Sequence, residues 1–426
     1  MSSLLIRRAR IIDPESGEER EGDIFVQDGR IAAIYQTPSV ADSVIEADGL
    51  YAAPGFIDMH VHFREPGNEE AETIRSGAEA AVAGGFTTVC MMPNTQPPVD
   101  SEAAAEFVVL QSQRAGFANV LPVGAVTEGL KGERLSEMGG LVRGGAVAFS
   151  DDGNPIRSSE ILRRALLYAK MFDKVIIDHA EDADLSRRGV MHSGEISAIL
   201  GMPGIPAASE EIAVARDIKI AEITGGRLHI AHLSSAGAVA LVRAAKQQGV
   251  RVTAEVTPHH LTLTDEAVQS FDPNLKMKPP LRTRDDLQAL IRGLQDGTID
   301  VIATDHAPHT REGKELDFLS APFGVIGLET AFGVLITHIV EPGHLTLVDL
   351  VRKLTLAPAQ ILGLATKGRM RAGADADIVL FDTQTRWRVD PEKFRSKSRN
   401  TPFAGWELRG RVFYTIVAGR VVYEAS

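Results

Sequence analysis

Two histidines one residue apart close an apolar run near the start of the chain, in residues 56–64, FIDMHVHFR. Side chains alternate between the two faces of a strand, so His60 and His62 are expected to point the same way from neighbouring pleats. Two imidazoles in that arrangement can share one metal ion. Taken alone, the pair could equally be two ordinary histidines at a strand end, so the prediction of a metal site depends on the rest of the chain.

Further ionisable residues follow other apolar runs along the chain. They are Asp151, Asp152, His179, His232 and Asp305. In a parallel barrel the carboxyl ends of the strands share one rim, where active sites form, so these side chains are expected to converge on the histidine pair. Four imidazoles and two or three carboxylates are ligands that zinc prefers, and they suffice for two ions. An aspartate after the fourth strand, opposite the eighth, is well placed to bridge them.

Two metal ions in one site have a recognisable chemistry. They lower the pKa of a shared water, hold it as hydroxide and polarise a neighbouring carbonyl. The reaction also needs a group that takes the proton of this nucleophile and passes it to a leaving nitrogen, and Asp305 suits that role. The residues alone therefore predict metal-assisted hydrolysis of an amide-like bond.

Each of these residues also has a purely structural explanation. Asp305 could cap a loop, and His179 or His232 could be a satisfied core histidine. One of the two aspartates after the fourth strand is expected to belong to the turn. Coincidence explains their joint occurrence at separate strand ends poorly. His259 and His260, after the seventh strand, stay ambiguous, and a structural or ligand-supporting role is favoured.

The clues to the substrate are weaker. Arg64 lies two residues beyond the histidine pair and can offer a bidentate fork to a carboxylate, although a surface ion pair is the ordinary alternative. Asn94, after the second strand, could join it. Residues 310–320 have the charged composition of a mobile loop over the barrel mouth, a kind of loop that often excludes water during turnover.

Short β-branched runs alternate with helical patterns from residue 56 onward, which is typical of repeated βα units. Eight such runs occur, at residues 56–62, 87–91, 120–124, 146–150, 175–179, 228–232, 251–256 and 300–305. Helical periodicity appears between them at residues 72–83, 158–171, 210–223, 236–248 and 284–296. This alternation predicts an α/β fold with a (β/α)8 barrel of the TIM type over residues 54–368.

Both ends of the chain have a different pattern. Residues 4–12, 23–27 and 30–35 read as strands around the turns at Asp13-Pro14 and Asp28-Gly29, and residues 376–381 and 410–424 read as a strand and a hairpin. We expect residues 1–53 and 369–426 to pair into one small composite β-sandwich.

Composition narrows the class of protein. The 426 residues carry a formal net charge of -12 without a basic cluster, which argues against a nucleic acid or an anionic membrane as partner. Cys90 is the only cysteine, and no secretory signal or run of about 18–20 apolar residues is present, so a cytoplasmic protein is expected. A homodimer is the default assembly.

The motifs together resemble those of the amidohydrolase superfamily and, within it, of the bacterial class I dihydroorotases. The similarity covers nearly the whole chain and is carried by residues 58–67 (DMHVHFREPG), 92–95 (MPNT), 149–153 (FSDDG), 304–309 (TDHAPH) and 400–403 (NTPF). The resemblance implies a metal-dependent hydrolase barrel with a composite β-sandwich. It implies interconversion of N-carbamoyl-L-aspartate and L-dihydroorotate in pyrimidine biosynthesis.

The resemblance also implies roles for individual residues. The ligands of two zinc ions would be His60, His62, Asp152, His179, His232 and Asp305, with Asp152 and a water or hydroxide bridging the ions and Asp305 as proton shuttle. The substrate contacts would be His62, Arg64, Asn94 and His309, with Phe323 and Gly324 through the backbone. One departure from the family is Lys278, which replaces the common asparagine before Pro-Pro-Leu-Arg and puts that substrate contact in doubt.

Two alternatives stay open at this stage. A hydantoinase, dihydropyrimidinase or allantoinase would use related chemistry, but such relatives typically bridge their metals with a carboxylated lysine, and the nearest following lysine here is Lys170, deep in the next helix. An inactive homologue kept as a scaffold for aspartate transcarbamoylase should have lost metal ligands, whereas this chain retains all six.

Overall fold

The computed structural model describes residues 3–38 and 40–425. In chain order its strands are β1 (Ser3–Asp13), β2 (Glu18–Gln27), β3 (Arg30–Ile34), β4 (Ser43–Glu46), β5 (Tyr51–Pro54), β6 (Phe56–Val61), β7 (Phe86–Met91), β8 (Asn119–Ala125), β9 (Ala148–Ser150), β10 (Val175–Asp178), β11 (Met191–His192), β12 (Gly204–Ile205), β13 (Arg227–Ile230), β14 (Val252–Val256), β15 (Val301–Ile302), β16 (Ile378–Arg388), β17 (Glu407–Val417) and β18 (Arg420–Glu424).

The α-helices lie mainly between the barrel strands. They are α1 (Ile74–Ala83), α2 (Glu102–Ala115), α3 (Met138–Arg143), α4 (Ser159–Lys170), α5 (Ala183–Ser186), α6 (Glu195–Leu200), α7 (Ala207–Thr224), α8 (Ala236–Gln247), α9 (Arg284–Gln295), α10 (Arg311–Lys314), α11 (Ala331–Leu335), α12 (Leu347–Leu354) and α13 (Leu356–Leu362). Shorter 3-10 and π turns occur at Glu128–Leu130, Asp265–Ser270, Pro273–Leu275, Ile336–Val340 and Pro391–Lys393. None of the helices in the described residues has the length and apolar character needed to cross a membrane.

The barrel predicted from the alternating pattern is confirmed. Its eight parallel strands are neighbours in the order β6, β7, β8, β9, β10, β13, β14, β15, and each predicted run overlaps one of them. Val61 pairs with His306 just beyond β15, and the His62 N–H donates to the His306 carbonyl at 2.8 Å, so the ends of the sheet approach closure. The carboxyl ends of all eight strands therefore face one rim.

The helix expected at residues 72–83 begins at Ile74, because Thr73 caps it. The Thr73 hydroxyl accepts the Ser76 N–H, and the Ser76 hydroxyl accepts the Thr73 N–H. Glu72 therefore stays outside the helix, and its buried carboxylate accepts hydrogen bonds from Ser76 and from Ser396 near the other end of the chain.

The two ends of the chain pair in one eight-stranded sheet, as expected, while its closure into a two-layered sandwich stays a prediction. β1 pairs with β2, β4 and β5, and β5 pairs antiparallel with β16, which continues through β17 to β18. Apolar residues of these strands enclose a core separate from that of the barrel, with Ile6, Ile24 and Ile378 among its fully buried members. The exact domain bounds at residues 53 and 369 stay a prediction.

Gly55 connects this sheet directly to the first barrel strand. It is the single residue between β5 and β6, and a Cβ atom there would overlap the side chain of Thr87 on β7. Only glycine allows so close an approach of the two strands. The sheet thereby holds the strand that carries the histidine pair.

Residues 310–320 are more firmly attached than their composition suggests. Lys314, in α10, is almost fully buried, and its Nζ donates to the carbonyls of Pro273 at 2.9 Å and Lys276 at 3.3 Å. Burial lowers the pKa of Lys314 to about 7. The sequence could not show these contacts, because both acceptors are backbone atoms of a distant loop.

Candidate active site

The predicted ligands meet at the carboxyl rim of the barrel. His60, Asp152 and His232 present donor atoms that all lie within 4.8 Å of one another, and so do His60, His62 and Asp305. All of these side chains are buried. Five positions separated by as many as 245 residues in the sequence therefore form one cluster.

Asp152 lies at the centre of this cluster. Its Oδ2 is 3.2 Å from Nε2 of His60 and 3.3 Å from Nε2 of His62. Its Oδ1 is 3.3 Å from Nδ1 of His179 and 3.6 Å from Nε2 of His232. One carboxylate thus faces both histidine pairs, the position that a bridging ligand needs.

The neighbouring aspartate serves the loop instead. Asp151 accepts the Thr127 N–H at 2.9 Å and the Thr127 hydroxyl at 2.5 Å. The sequence predicted that one of the two aspartates would have such a role, and the structure assigns it to Asp151.

Two of the clustered residues have an unusual backbone conformation. His232 has φ of 30° and Asp305 has φ of 49°. Non-glycine residues at positive φ cost on the order of 1–3 kcal/mol, so the surrounding fold must hold them there. The His232 N–H donates to Glu255 at 3.3 Å, and the N–H of Thr304, beside Asp305, donates to Asp58 at 3.2 Å.

The charges in the cluster reinforce one another. Burial alone would raise the pKa of a carboxyl group and lower that of an imidazole. For Asp305, burial is outweighed by the charges of His60 and His62, and the pKa lies at about 2. For His179, burial is outweighed by the Asp152 and Glu181 carboxylates, and the pKa lies at about 10. The site is therefore built to stabilise positive charge among ionised carboxylates.

The cluster fits a metal ion. Among the described residues, Oδ1 of Asp152 is buried without a hydrogen-bond donor, and leaving such an atom unpaired is costly. A cation bound by imidazole and carboxylate groups replaces their protons and would satisfy this oxygen. The combination of histidine and aspartate donors is the one that zinc prefers.

Glu255 supports the cluster and was missed by the sequence analysis. Its Oε1 lies 2.7 Å from Nδ1 of His60, and its Oε2 lies 3.1 Å from Nε2 of His229. With a metal ion bound, this contact would make Nδ1 of His60 the donor and leave Nε2 as the ligating nitrogen. A signal was present, since Glu255 is the only charged residue of the apolar strand β14 and is fully buried.

Arg64 and Asn94 stand beside the cluster. They line a cleft of about 250 Å³ together with Pro66, Gly67, Asn68, Thr95 and Gln96. The Asn94 Oδ1 accepts from Nδ1 of His62 at 2.8 Å, which leaves the Asn94 amide group free to donate elsewhere. The Arg64 Nε donates to the Pro308 carbonyl at 3.0 Å, and burial lowers the pKa of Arg64 to about 10.

His309 and the Phe323-Gly324 segment form another wall of the site. Nε2 of His309 donates to the Phe323 carbonyl at 2.6 Å. Burial, with the charges of Arg64 and Lys314, lowers the pKa of His309 to about 3, so its ring is neutral and Nδ1 is an acceptor. A contact between His309 and a carboxylate therefore requires a proton on Nδ1 or release of the Phe323 carbonyl.

Asn400 ties these loops together from near the end of the chain. Its Nδ2 donates to the carbonyls of Ala307 at 3.0 Å and Gly324 at 3.1 Å, and its Oδ1 accepts the His309 N–H at 3.2 Å. The side chain is buried. The sequence contained the NTPF motif but gave no reason for its asparagine.

The ambiguous residues also have defined surroundings. His260 bonds Thr257 Oγ1 at 2.7 Å and the Pro279 carbonyl at 3.0 Å, which is a structural role. Nε2 of His259 is buried and has no hydrogen-bond partner within residues 3–38 and 40–425. Lys278 places its Nζ 2.8 Å from Oε1 of Glu181.

Fold and site together define a class, the hydrolases whose metal-binding side chains stand on the carboxyl rim of a (β/α)8 barrel. A model of the amidohydrolase family matches residues 51–422. The chain belongs to the amidohydrolase family, as its motifs predicted.

Within this family, the chain is similar in sequence to proteins named dihydroorotase. The chain is 52% identical over 424 residues to a dihydroorotase of Caldanaerobacter subterraneus subsp. tengcongensis, covering 99% of this chain and 98% of the relative. It is 53% identical over 422 residues to a dihydroorotase of Pelotomaculum thermopropionicum, with coverage of 99% and 98%.

Among solved structures, an L-hydantoinase (dihydropyrimidinase) from Arthrobacter aurescens is similar with a TM-score of 0.88 and 28% identity, covering 100% of this chain and 96% of that one. A D-hydantoinase (dihydropyrimidinase) from Thermus sp. gives a TM-score of 0.85 at 27% identity, with coverage of 99% and 95%. The fold is therefore shared with an L-hydantoinase and a D-hydantoinase.

Proposed function

We propose that this chain is a dihydroorotase, a cyclic amidohydrolase that reversibly converts N-carbamoyl-L-aspartate to L-dihydroorotate in pyrimidine biosynthesis. The observation that carries the proposal is that Asn94, which bonds His62 of the cluster at 2.8 Å, lines one cleft together with Arg64. A cation and an amide donor at that place suit a ring that bears a carboxylate. Relatives about half identical over nearly the full chain support the same substrate.

We further propose that the metal is zinc, with two ions per subunit. His60, His62 and Asp305 would hold one ion, His179 and His232 the other, and Asp152 would belong to both. When bound, such ions supply Lewis acidity and a nucleophile at neutral pH. The proximity of Asp152 to four imidazole nitrogens, at 3.2 to 3.6 Å, supports this division.

The proton is handled by Asp305. Its carboxylate lies 3.0 Å from Nε2 of His62, within the cluster. In ring opening, Asp305 accepts a proton from the attacking water and delivers it to the ring nitrogen that leaves. Ring closure runs through the same group in reverse.

The substrate carboxylate is held by Arg64 and by the free amide of Asn94, and His309 joins them once Nδ1 gains a proton or Nε2 leaves the Phe323 carbonyl. Because His62 donates to Asn94 Oδ1, the same asparagine touches a metal ligand and the substrate, and His62 thereby contributes to binding. The ring lies against the backbone of Phe323 and Gly324. An added Cβ at Gly324, whose φ is 132°, would crowd Ala307 and His309, so this wall requires glycine.

A hydantoinase, dihydropyrimidinase or allantoinase is the second candidate, favoured only by the similarity of fold. Lys170, the nearest lysine after the fourth strand, lies at the end of α4 and donates to the Thr224 carbonyl at 3.2 Å, so it is not available as a carboxylated bridge. Asp152 occupies the bridging position instead. An inactive scaffold is disfavoured because no predicted ligand is missing from the cluster.

The proposal also covers the oligomeric state, the cellular compartment and a protein partner. We propose a homodimer in the cytoplasm, with association to aspartate transcarbamoylase as a further possibility to be tested. Closed two-fold dimers are the commonest assemblies, and the buried thiol of Cys90 is compatible with a reducing compartment.

The test compares four rings with one enzyme preparation. Metal analysis should find close to two zinc equivalents, and an ultraviolet assay should show opening of dihydroorotate at alkaline pH and closure of carbamoyl aspartate at lower pH. Dihydrouracil, hydantoin and allantoin should react far more slowly. Faster opening of a ring without a carboxylate would refute the substrate assignment while leaving the reaction class in place.

A further inference from the structure

The side chain of Lys278 is engaged by a carboxylate next to a predicted metal ligand. Its Nζ lies 2.8 Å from Oε1 of Glu181, and the same oxygen accepts the Ser186 hydroxyl at 2.6 Å. The Glu181 side chain is 7% exposed, whereas that of Lys278 is 29% exposed. The ammonium group is therefore the charged partner of a buried carboxylate.

The other oxygen of this carboxylate faces the cluster. Oε2 of Glu181 lies 3.7 Å from Nε2 of His179, whose opposite nitrogen, Nδ1, lies 2.9 Å from Nε2 of His232. A carboxylate behind a ligating imidazole fixes both its ring orientation and its tautomer. At 3.7 Å the contact is electrostatic rather than a hydrogen bond, and with a metal ion bound it would favour the proton on Nε2 and leave Nδ1 as the ligating nitrogen.

We propose that Lys278 is a positioning residue that acts on His179 through Glu181, and that it does not bind the substrate. The inference rests on the proposed function, because it assigns His179 to one of two metal positions. Ser186 and Lys278 together hold Oε1, so that Oε2 can face only His179. Without Lys278, the Glu181 carboxylate keeps a single neutral donor and is free to turn away.

Lys278 lies between the wall of the site formed by Phe323 and the Glu181 carboxylate behind His179. Its Nζ also lies 5.9 Å from the centre of the Phe323 ring, on the wall assigned to the substrate. The lysine thus spans from the substrate wall to the carboxylate behind His179. An asparagine at this position would contact the substrate. The lysine instead supports a metal ligand.

The experiment measures metal affinity apart from catalysis. Apo-enzyme is titrated with Zn²⁺ by equilibrium dialysis for wild type, Lys278→Met, Lys278→Arg, Glu181→Gln and the double variant. We expect Lys278→Met and Glu181→Gln to weaken binding of one zinc equivalent by roughly 10–100-fold and to leave the other unchanged. Lys278→Arg should restore the affinity, and the double variant should be no weaker than Glu181→Gln.

A matched control is available on the opposite end of the barrel. Lys246 pairs with Asp300 at 2.6 Å, and its side chain is 23% exposed, close to the value for Lys278. Lys246→Met removes the same charge from a similar environment and should leave both zinc affinities unchanged.

Two results would overturn the inference. If Lys278→Met raises KM about tenfold while both zinc affinities stay as in wild type, the lysine is a substrate contact. If neither quantity changes, the pair with Glu181 supports neither the metal ligand nor the substrate. Failure of the proposed function is visible separately, since wild-type enzyme would then bind no zinc or open no dihydroorotate.

Discussion

The Oε1 atom of Glu255 lies 2.7 Å from Nδ1 of His60, although 195 positions separate the two residues in the sequence. The contact joins the seventh barrel strand to the first across the interior. Glu255 also accepts from His229 and from the His232 backbone, so one carboxylate restrains parts of both predicted metal positions. The charges of His60 and His229, outweighing burial, hold the pKa of Glu255 well below its usual value.

Glu255→Gln should therefore weaken metal binding. The amide can still accept from one histidine but carries no charge and offers one acceptor oxygen instead of two. We expect zinc affinity to fall roughly 10–100-fold, as for other residues that support metal-binding histidines. Asp377→Asn is the control, because Asp377 is also buried but pairs with Lys367 and accepts the Ala418 N–H. Equal zinc affinities in the Glu255 variant and wild type would contradict the role.

Asp305→Ala should separate metal binding from turnover. Five of the six predicted ligands remain, so most of the metal and the fold should be retained. The kcat for dihydroorotate should fall by a factor on the order of 10³ or more, because the proton carrier is lost. Metal analysis and steady-state kinetics on the same sample check both parts. Residual turnover within a factor of about ten of wild type would assign the proton transfer to another group.

Asn400→Ala should affect substrate binding more than the chemical step. The change leaves the His309 N–H and the carbonyls of Ala307 and Gly324 without their shared partner, at about 1–3 kcal/mol for each buried group left unpaired. Loops that contact the substrate then lose their fixed spacing. We expect KM for dihydroorotate to rise about tenfold or more, with a smaller change in kcat and no change in zinc content.

The control for Asn400 is the same substitution at Asn119. That amide donates to the Thr87 carbonyl at 2.9 Å and to Asp377 at 3.2 Å, at the amino end of β8 and away from the rim. Asn119→Ala should lower thermal stability but leave KM unchanged. A matching rise of KM in both variants would show that Asn400 acts only through general stability.

Glu329 should make stability fall as the pH rises. Burial raises its pKa from 4.5 to about 7, although the N–H groups of Arg395 and Ser396 donate to it at 2.9 and 3.0 Å. Between these two pKa values the folded state binds more protons than the unfolded state, so the free energy of unfolding decreases with rising pH.

Glu329→Gln removes this dependence, although its single amide oxygen can accept from only one of the two N–H groups, so Tm should also fall by an amount that does not vary with pH. The Tm of the variant relative to wild type should therefore increase between about pH 5 and about pH 8. Glu222→Gln, on the exposed face of α7, should shift Tm equally at both values. Parallel profiles for Glu329→Gln and wild type would contradict the raised pKa of this partly buried carboxyl.

The sequence was sufficient for the barrel and for the types of residue on its rim. Strand and helix periodicity is a local property, and parallel strands must end on a common rim, so His60, His179 and His232 could be expected to meet before any contact was known. The choice between Asp151 and Asp152 needed either the motif resemblance or the structure, because both follow the same strand.

Only the tertiary structure decided which groups contact and orient the side chains and loops at the barrel rim. Glu255 behind His60, Glu181 and Lys278 behind His179, and Asn400 between two loops are contacts between segments far apart in the sequence. Such contacts depend on barrel closure and on the distances between loops, which periodicity does not encode. The residue types at the strand ends therefore follow from local patterns, while the orientation and charge of each side chain follow from partners that only the folded chain brings near.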